Sequence, residues 1–361
     1  MQGNKSTPSI FSGTMNRQAF LLAVRLGATA LLLLLLHCTG WLDFEVWSRV
    51  TFGLLMAPLP FYIFAFLVGI YRWRCLVRAV NIPISLWDVT RLTMTGIWVS
   101  SVLPGGSVFA GDATRAALFP SEKSNRRATV LASVFLDRLL GMLAIFVIAA
   151  TALFLNVSMM MKDPWLQKIG LIVVSMIVLS VSMILISVLR KPHDFLTSSQ
   201  LVSRIPGHGL FLKVFAAFDL FRNCRSAMIK AHLASYLGHG SMICAIIILA
   251  KHIGIQLDSP SEYVFAIAIG IVSAMIPVSG PVGLGAGNVG FAASFALLGS
   301  NDGAALALVW QATFVVSCQI GLPFFLIGRR TSTLLPPGNS GGVKKVMRDR
   351  IRPVAMERAA Q

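Results

Sequence analysis

Four ionisable residues stand in otherwise apolar sequence, at spacings that decide what they can do. Asp112 and Arg115 are three residues apart, which on a helix puts them on one face and lets them pair. Asp137 and Arg138 are adjacent, so on a helix they diverge by about 100° and do not simply neutralise each other. Each needs a partner elsewhere in the molecule, or water. Ionisable groups within apolar segments face an interior or a pathway, and the chemistry open to these arginines is contact with an anion such as a phosphate. Two structural readings compete: Arg115 can snorkel to an interface, and Asp137 with Arg138 can serve as inter-helix pairs.

Two Pro/Gly clusters interrupt apolar runs. In the first, Pro104, Gly105 and Gly106 end one half-helix and Ser107 can start the next. The new half-helix would turn unsatisfied N–H groups and a positive dipole end toward the break, which favours an anion. The second cluster holds Pro277, Gly283, Gly285, Gly287 and Asn288. Gly285, Gly287 and Gly290 make a formal GxGxxG, but no strand precedes it and the position twenty residues on is Trp310 rather than an acid. The dinucleotide reading therefore fails. No Gly-Lys-Ser/Thr follows either, so a phosphate loop is excluded, and the glycines read as backbone breaks.

Enzyme signatures are missing from the sequence. The six histidines show no HExxH or HxxxH spacing, and neither a nucleophile elbow nor a nucleotide loop occurs. His232 and His239, seven apart, can share a helix face, a pattern that belongs more often to packing than to a site. The five cysteines form no CxxC pair, so no zinc site or disulfide framework follows, and they read as small buried apolar side chains. The sequence implies no enzyme activity, cofactor or metal.

The elements that position these residues are membrane helices. The 361 residues are 56% hydrophobic and 12% charged, with a mean hydropathy of +0.76, against roughly 25% charged in soluble domains. A soluble globular protein is excluded. Lys and Arg number 31 against 14 acids, a formal charge of +17. Cytoplasmic loops of membrane proteins carry such an excess, so nucleic acid is not implied as a partner.

Six apolar stretches are long enough to span: residues 20–37, 50–70, 129–155, 169–189, 231–250 and 304–327. Residues 92–118 and 263–298 are apolar but broken at the two Pro/Gly clusters, and read as re-entrant hairpins. The fold class is therefore all-α, a polytopic helical membrane protein with about six transmembrane helices and two hairpins. If the spans alternate and each hairpin returns to its own side, every basic loop falls on one side. Both termini are then cytoplasmic.

Each half reads span, span, hairpin, span, with opposite starting sides: residues 20–156 and 169–330. Pro104 and Pro277 lie 173 residues apart, close to half the chain, as an inverted repeat requires. Residues 1–19 form a polar cytoplasmic segment without signal-peptide features, so the first span is expected to be retained. Arg25, near the start of that span, reads as snorkelling. Residues 209–230 mix Phe and Leu with Lys and Arg, as in an interfacial helix or an amphipathic connector on protein. Residues 331–361 read as a disordered basic tail.

Leu103-Pro104-Gly105-Gly106 with Gly111, Asp112 and Arg115, then Asp137-Arg138 with Gly141, then Ile276-Pro277 with Gly283, Gly285 and Gly287 resemble the lysylphosphatidylglycerol synthase transmembrane, or flippase-like, family over roughly residues 20–330. The resemblance implies an integral membrane domain that moves lipids between leaflets. It makes membrane lipids the partners, with a lipid-biosynthesis enzyme as a further one. Asn288 departs from the acid the resemblance leads one to expect there. No aminoacyl-transfer domain follows residue 330 in this sequence, so lipid lysylation is not implied. The expected function is translocation of a lipid or isoprenoid-linked compound with an anionic phosphate headgroup, in a bacterial cytoplasmic membrane. The alternatives are transport of a small soluble anion, or a non-catalytic membrane partner of a lipid-modifying enzyme.

Overall fold

Helices account for nearly all of the computed structural model, which describes residues 30–31, 33–35, 37–38, 48, 50–102, 107–119, 127–162, 164–188, 221, 223–275 and 281–333. In chain order the helices are α1 (Phe52–Met56), α2 (Leu59–Ala79), α3 (Leu86–Val102), α4 (Ser107–Ala117), α5 (Arg127–Leu155), α6 (Val157–Lys162), α7 (Pro164–Val188), α8 (Arg225–His252), α9 (Pro260–Ala274), α10 (Ala286–Ala296), α11 (Gly303–Cys318) and α12 (Leu322–Thr333). There is no strand among the described residues.

Among the described residues five segments are long and apolar enough to cross a membrane: Phe52–Ala79, Ala128–Leu155, Pro164–Ser182, Arg225–His252 and Gly303–Ile327. They coincide with five of the six spans read from sequence. The first span, residues 20–37, lies mostly outside the described residues, as do the N-terminal segment with Arg25, the tail beyond 333 and residues 209–220. Residues 225–230 are the opening turns of α8, so the interfacial reading does not extend to them. The short helix α6 between α5 and α7 has no counterpart in the sequence reading.

The hairpins follow from length. At 1.5 Å per residue, the 17 residues of α3, the 11 of α4, the 15 of α9 and the 11 of α10 all fall short of a ~30 Å hydrocarbon core. Each pair folds back on itself instead, α3 on α4 and α9 on α10. Glycine permits the approach. A Cβ on Gly111 would overlap Ser100 Oγ and the Gly96 carbonyl, and one on Gly290 would overlap the Ser273 side chain. Lipid offers helices no hydrophobic reason to associate, so close packing at small residues has to hold them. Among the described residues the second half runs span, span, hairpin, span (α7, α8, α9 with α10, α11), and the first runs span, hairpin, span (α2, α3 with α4, α5), the span expected before α2 lying mostly outside them.

Capping residues set the helix starts. Pro58 and Pro60 sit at the start of α2, where a missing N–H costs nothing. Ser259 caps α9 by accepting from Glu262 N–H, with Pro260 as the first helical residue. The core runs between α2, α8, α9, α10 and α11 around Tyr62, Trp73, Phe291 and Phe295, and Tyr62 OH hydrogen-bonds Thr313 Oγ1 at 3.0 Å. Ile229, Leu233 and Leu237, at i, i+4 and i+8 on α8, are exposed and face lipid. Of the cysteines only Cys318 is buried, while Cys38 and Cys244 are exposed. That corrects the reading of all five as buried; in an apolar solvent a cysteine has no need of burial.

Candidate functional site

A cavity of about 280 Å³ lies where the first hairpin meets α2, α5 and α8. Its polar wall is an ion-pair network drawn from three of those elements. Arg72 on α2 makes a two-point pair with Asp137 on α5, Nε to Oδ1 at 2.6 Å and Nη2 to Oδ2 at 3.0 Å. Arg72 Nη1 also donates to Ser235 Oγ on α8 at 3.1 Å. Asp112 on α4 accepts from Arg115 and from Arg138 on α5, at 2.6 Å from Nε and 2.8 Å from Nη2. Arg115 Nη2 lies 3.9 Å from Asp137 Oδ2, which joins the two groups into one network.

Local structure prepares each position. Asp112 and Arg115, one turn apart on α4, share a face and pair, as their spacing predicts. Asp137 and Arg138 diverge around α5 and find separate partners, Arg72 and Asp112. Arg115 does not snorkel: it is 5% exposed, and its guanidinium stacks over the buried Trp73 ring, 5.1 Å from the centroid, in a cation–π contact. The Trp73 indole is fixed by donating to Ser133 Oγ at 3.2 Å. Gly96 makes room for the Arg115 stem, since a Cβ there would lie 2.9 Å from Arg115 Cγ. Gly141 does the same for Arg72, with a Cβ 3.0 Å from its Nη1.

The network lies at membrane depth. Asp137 stands nine residues into the span beginning at Ala128, about 14 Å along the helix axis. Three guanidiniums face two carboxylates, leaving one positive charge in excess. The rest of the wall is mostly apolar or neutral, with Phe66, Ile97, Met242, Ile271, Trp310 and Phe314 beside Thr93, Ser100 and His239. His239 Nε2 bonds the Gly141 carbonyl at 3.0 Å, so that nitrogen carries the hydrogen. His232 Nδ1 bonds the Leu140 carbonyl at 3.2 Å and its Nε2 meets Tyr236 OH at 3.1 Å. Both histidines therefore tie α8 to α5, in keeping with a packing role, and His239 also lines the cavity.

The sequence-derived candidates separate into three groups. Asp112, Arg115, Asp137 and Arg138 come together at the cavity. Pro104, Gly105, Gly106 and Pro277 lie outside the described residues, and of Ser107 only its place as the first residue of α4 is described. Gly283, Gly285, Gly287 and Asn288 do not line the cavity; they shape the second hairpin. Gly283 and Gly285 (φ 81° and 91°) adopt backbone that favours glycine, and Gly283 and Gly287 pack against Ala274. Asn288 is fully buried. Its Oδ1 accepts from Gly285 N–H at 3.0 Å and Gln311 Nε2 at 3.3 Å, and its Nδ2 donates to the Ala304 carbonyl at 3.3 Å.

The second hairpin reaches the cavity through Ile271, Ala274, Met275 and Val282. Val282 holds φ 55°, where β-branched residues are rarely found. The positive charge of the site comes from Arg72 and Arg138 within α2 and α5 and from Arg115 in the last turn of α4. Arg72, Gly96 and His239 were missed as site residues. The available signal for Arg72 was the unanswered charge of Asp137.

Long apolar spans and two short-helix hairpins define a polytopic helical membrane protein. The family model described as lysylphosphatidylglycerol synthase TM region matches residues 20–319, and the chain belongs to that family. No curated protein and no solved structure matches it. Membership places this multi-pass protein in a lipid-related membrane process.

Proposed function

We propose that this membrane domain translocates a lipid or isoprenoid-linked compound between leaflets, and that its headgroup is an anionic phosphate. The observation that carries the reading is the unbalanced network, three guanidiniums on two carboxylates beside a cavity of about 280 Å³. An excess buried cation is costly without a counter-charge, and guanidinium matches phosphate oxygens in geometry and charge. The volume suits a headgroup, while acyl or isoprenoid chains stay in the bilayer. The reading involves no catalytic step and no cofactor.

With the basic loops cytoplasmic, the C-terminal end of α2 and the N-terminal ends of α5 and α8 face the cytoplasm, and the network lies in the inner half of a bacterial cytoplasmic membrane. Both termini are then cytoplasmic, and a headgroup enters from the inner leaflet. The test is reconstitution in vesicles with fluorescent anionic phospholipid, followed by a membrane-impermeant quencher. Protein-dependent loss of the protected fluorescence is expected. A protected fraction equal to that of protein-free vesicles would refute translocation and leave the readings of a soluble-anion transporter or a non-catalytic partner.

A further inference from the structure

Charge counting at the cavity goes beyond "anionic". Asp112 uses both carboxylate oxygens on Arg115 and Arg138, and Asp137 uses both on Arg72. Among the described residues lining the cavity there is no third carboxylate. An ammonium entering this space would have to take an oxygen from a guanidinium and leave that arginine unpaired, which is strongly unfavourable in a buried site. What remains for a headgroup is one uncompensated positive charge and neutral hydroxyls. Ser101 and Ser235 hydroxyls donate to the Trp98 and Ala231 carbonyls. Thr93, 4% exposed, has a hydroxyl with no partner among the described residues, and a hydroxyl can both donate to and accept from another hydroxyl.

We infer that the cavity selects a phosphodiester headgroup with a single negative charge, hydroxyl groups and no ammonium, and that it rejects zwitterionic and aminoacylated headgroups. The inference rests on the translocation reading above. A phosphodiester cancels the excess charge, whereas a dianionic phosphomonoester overshoots it. A lysylated phosphatidylglycerol has the wrong sign, since its two ammonium groups outweigh its phosphate. The sign of this site therefore separates the chain from the lipid named in its family's description.

The experiment measures leaflet exchange by the purified protein in vesicles, with chain-labelled phosphatidylglycerol, phosphatidylethanolamine, lysylphosphatidylglycerol and phosphatidic acid compared one by one. Uptake of free glycerophosphate is measured in the same vesicles. Phosphatidylglycerol is expected to exchange at least tenfold faster than either ammonium-bearing lipid, with phosphatidic acid between. Equal rates for phosphatidylglycerol and the ammonium-bearing lipids would overturn this inference and leave translocation standing. Glycerophosphate uptake without lipid exchange, or no exchange of any lipid, would overturn both.

Gly69 supplies an independent arm. It lines the cavity, and a Cβ there meets nothing within 4 Å. Gly69→Asp adds a carboxylate and brings the site to neutrality, so the preference against phosphatidylethanolamine should narrow at least fivefold, while Gly69→Asn should keep it. An unchanged preference in a Gly69→Asp protein that melts like Gly69→Asn would overturn the inference.

Discussion

Replacing Asp112 by Asn changes one atom type and removes the charge that Arg115 and Arg138 share. Asp112 and Arg115 side chains are 10% and 6% exposed, while Arg138 retains 32%. Breaking a buried pair costs about 3–5 kcal/mol; because Arg138 can recover water, the expected loss lies near the lower end, about 3 kcal/mol. Arg138→Gln alone leaves Asp112 paired with Arg115 and should cost about 1 kcal/mol. The double variant restores the single excess charge of the native network. It should cost about 2 kcal/mol rather than the additive value, a coupling of about 2 kcal/mol. The assay is equilibrium unfolding in mixed micelles of the four proteins of the cycle. Additive losses, or a neutral Asp112→Asn, would show that Asp112 is not held by these two cations.

Gly111→Ala should destabilise by about 1–3 kcal/mol or prevent folding, because the new Cβ meets the backbone carbonyl of Gly96; Gly240→Ala, whose Cβ would meet nothing within 4 Å, should melt like the native protein, and equal melting of the two would contradict glycine-closed hairpins. Gly285→Leu places a side chain at φ 91° and should lose about 1–3 kcal/mol, read as a lowered melting temperature. Asn288→Ala frees the Gly285 N–H and Gln311 contacts and should cost about 1–3 kcal/mol of stability without altering headgroup preference; a change of preference at native stability would make Asn288 a contact residue. In a cysteine-free background, cysteines at Ser124 and Ser199 should react with an impermeant thiol reagent only from the cytoplasmic side, and those at Ser48, Ser259 and Asn301 only from outside. Labelling of positions 124 and 259 from one side would end the inverted repeat.

Length and apolarity made the spans and hairpins legible, because lipid imposes them directly: a helix must reach ~30 Å or turn back. Asp112 with Arg115 was legible from local spacing, and so was the demand of Asp137 and Arg138 for distant partners. The identity of those partners was not. Arg72 shares the end of its span with Arg74 and Arg78, and nothing local separates a paired arginine from a topogenic one. Only the packing of α2 on α5 and α8 turns it inward. Asn288 failed differently. A polar residue at a glycine break suits a ligand contact and a helix cap equally well, and its neighbours Gln311 and Ala304 come from another helix. His239 looked like packing and does pack, yet the same ring borders the cavity.

The most direct test of headgroup recognition measures leaflet-exchange selectivity and melting temperature on the same purified Arg115→Gln and Arg138→Gln variants. A charge-assisted hydrogen bond to a phosphate contributes about 1.5–3 kcal/mol, so each variant should lose roughly ten- to hundredfold of its preference for anionic over zwitterionic lipid. Arg115→Lys should restore it in part, keeping the charge without the fork. Lowered melting temperatures with unchanged selectivity in both glutamine variants would contradict the account and reduce the arginines to structural pairs.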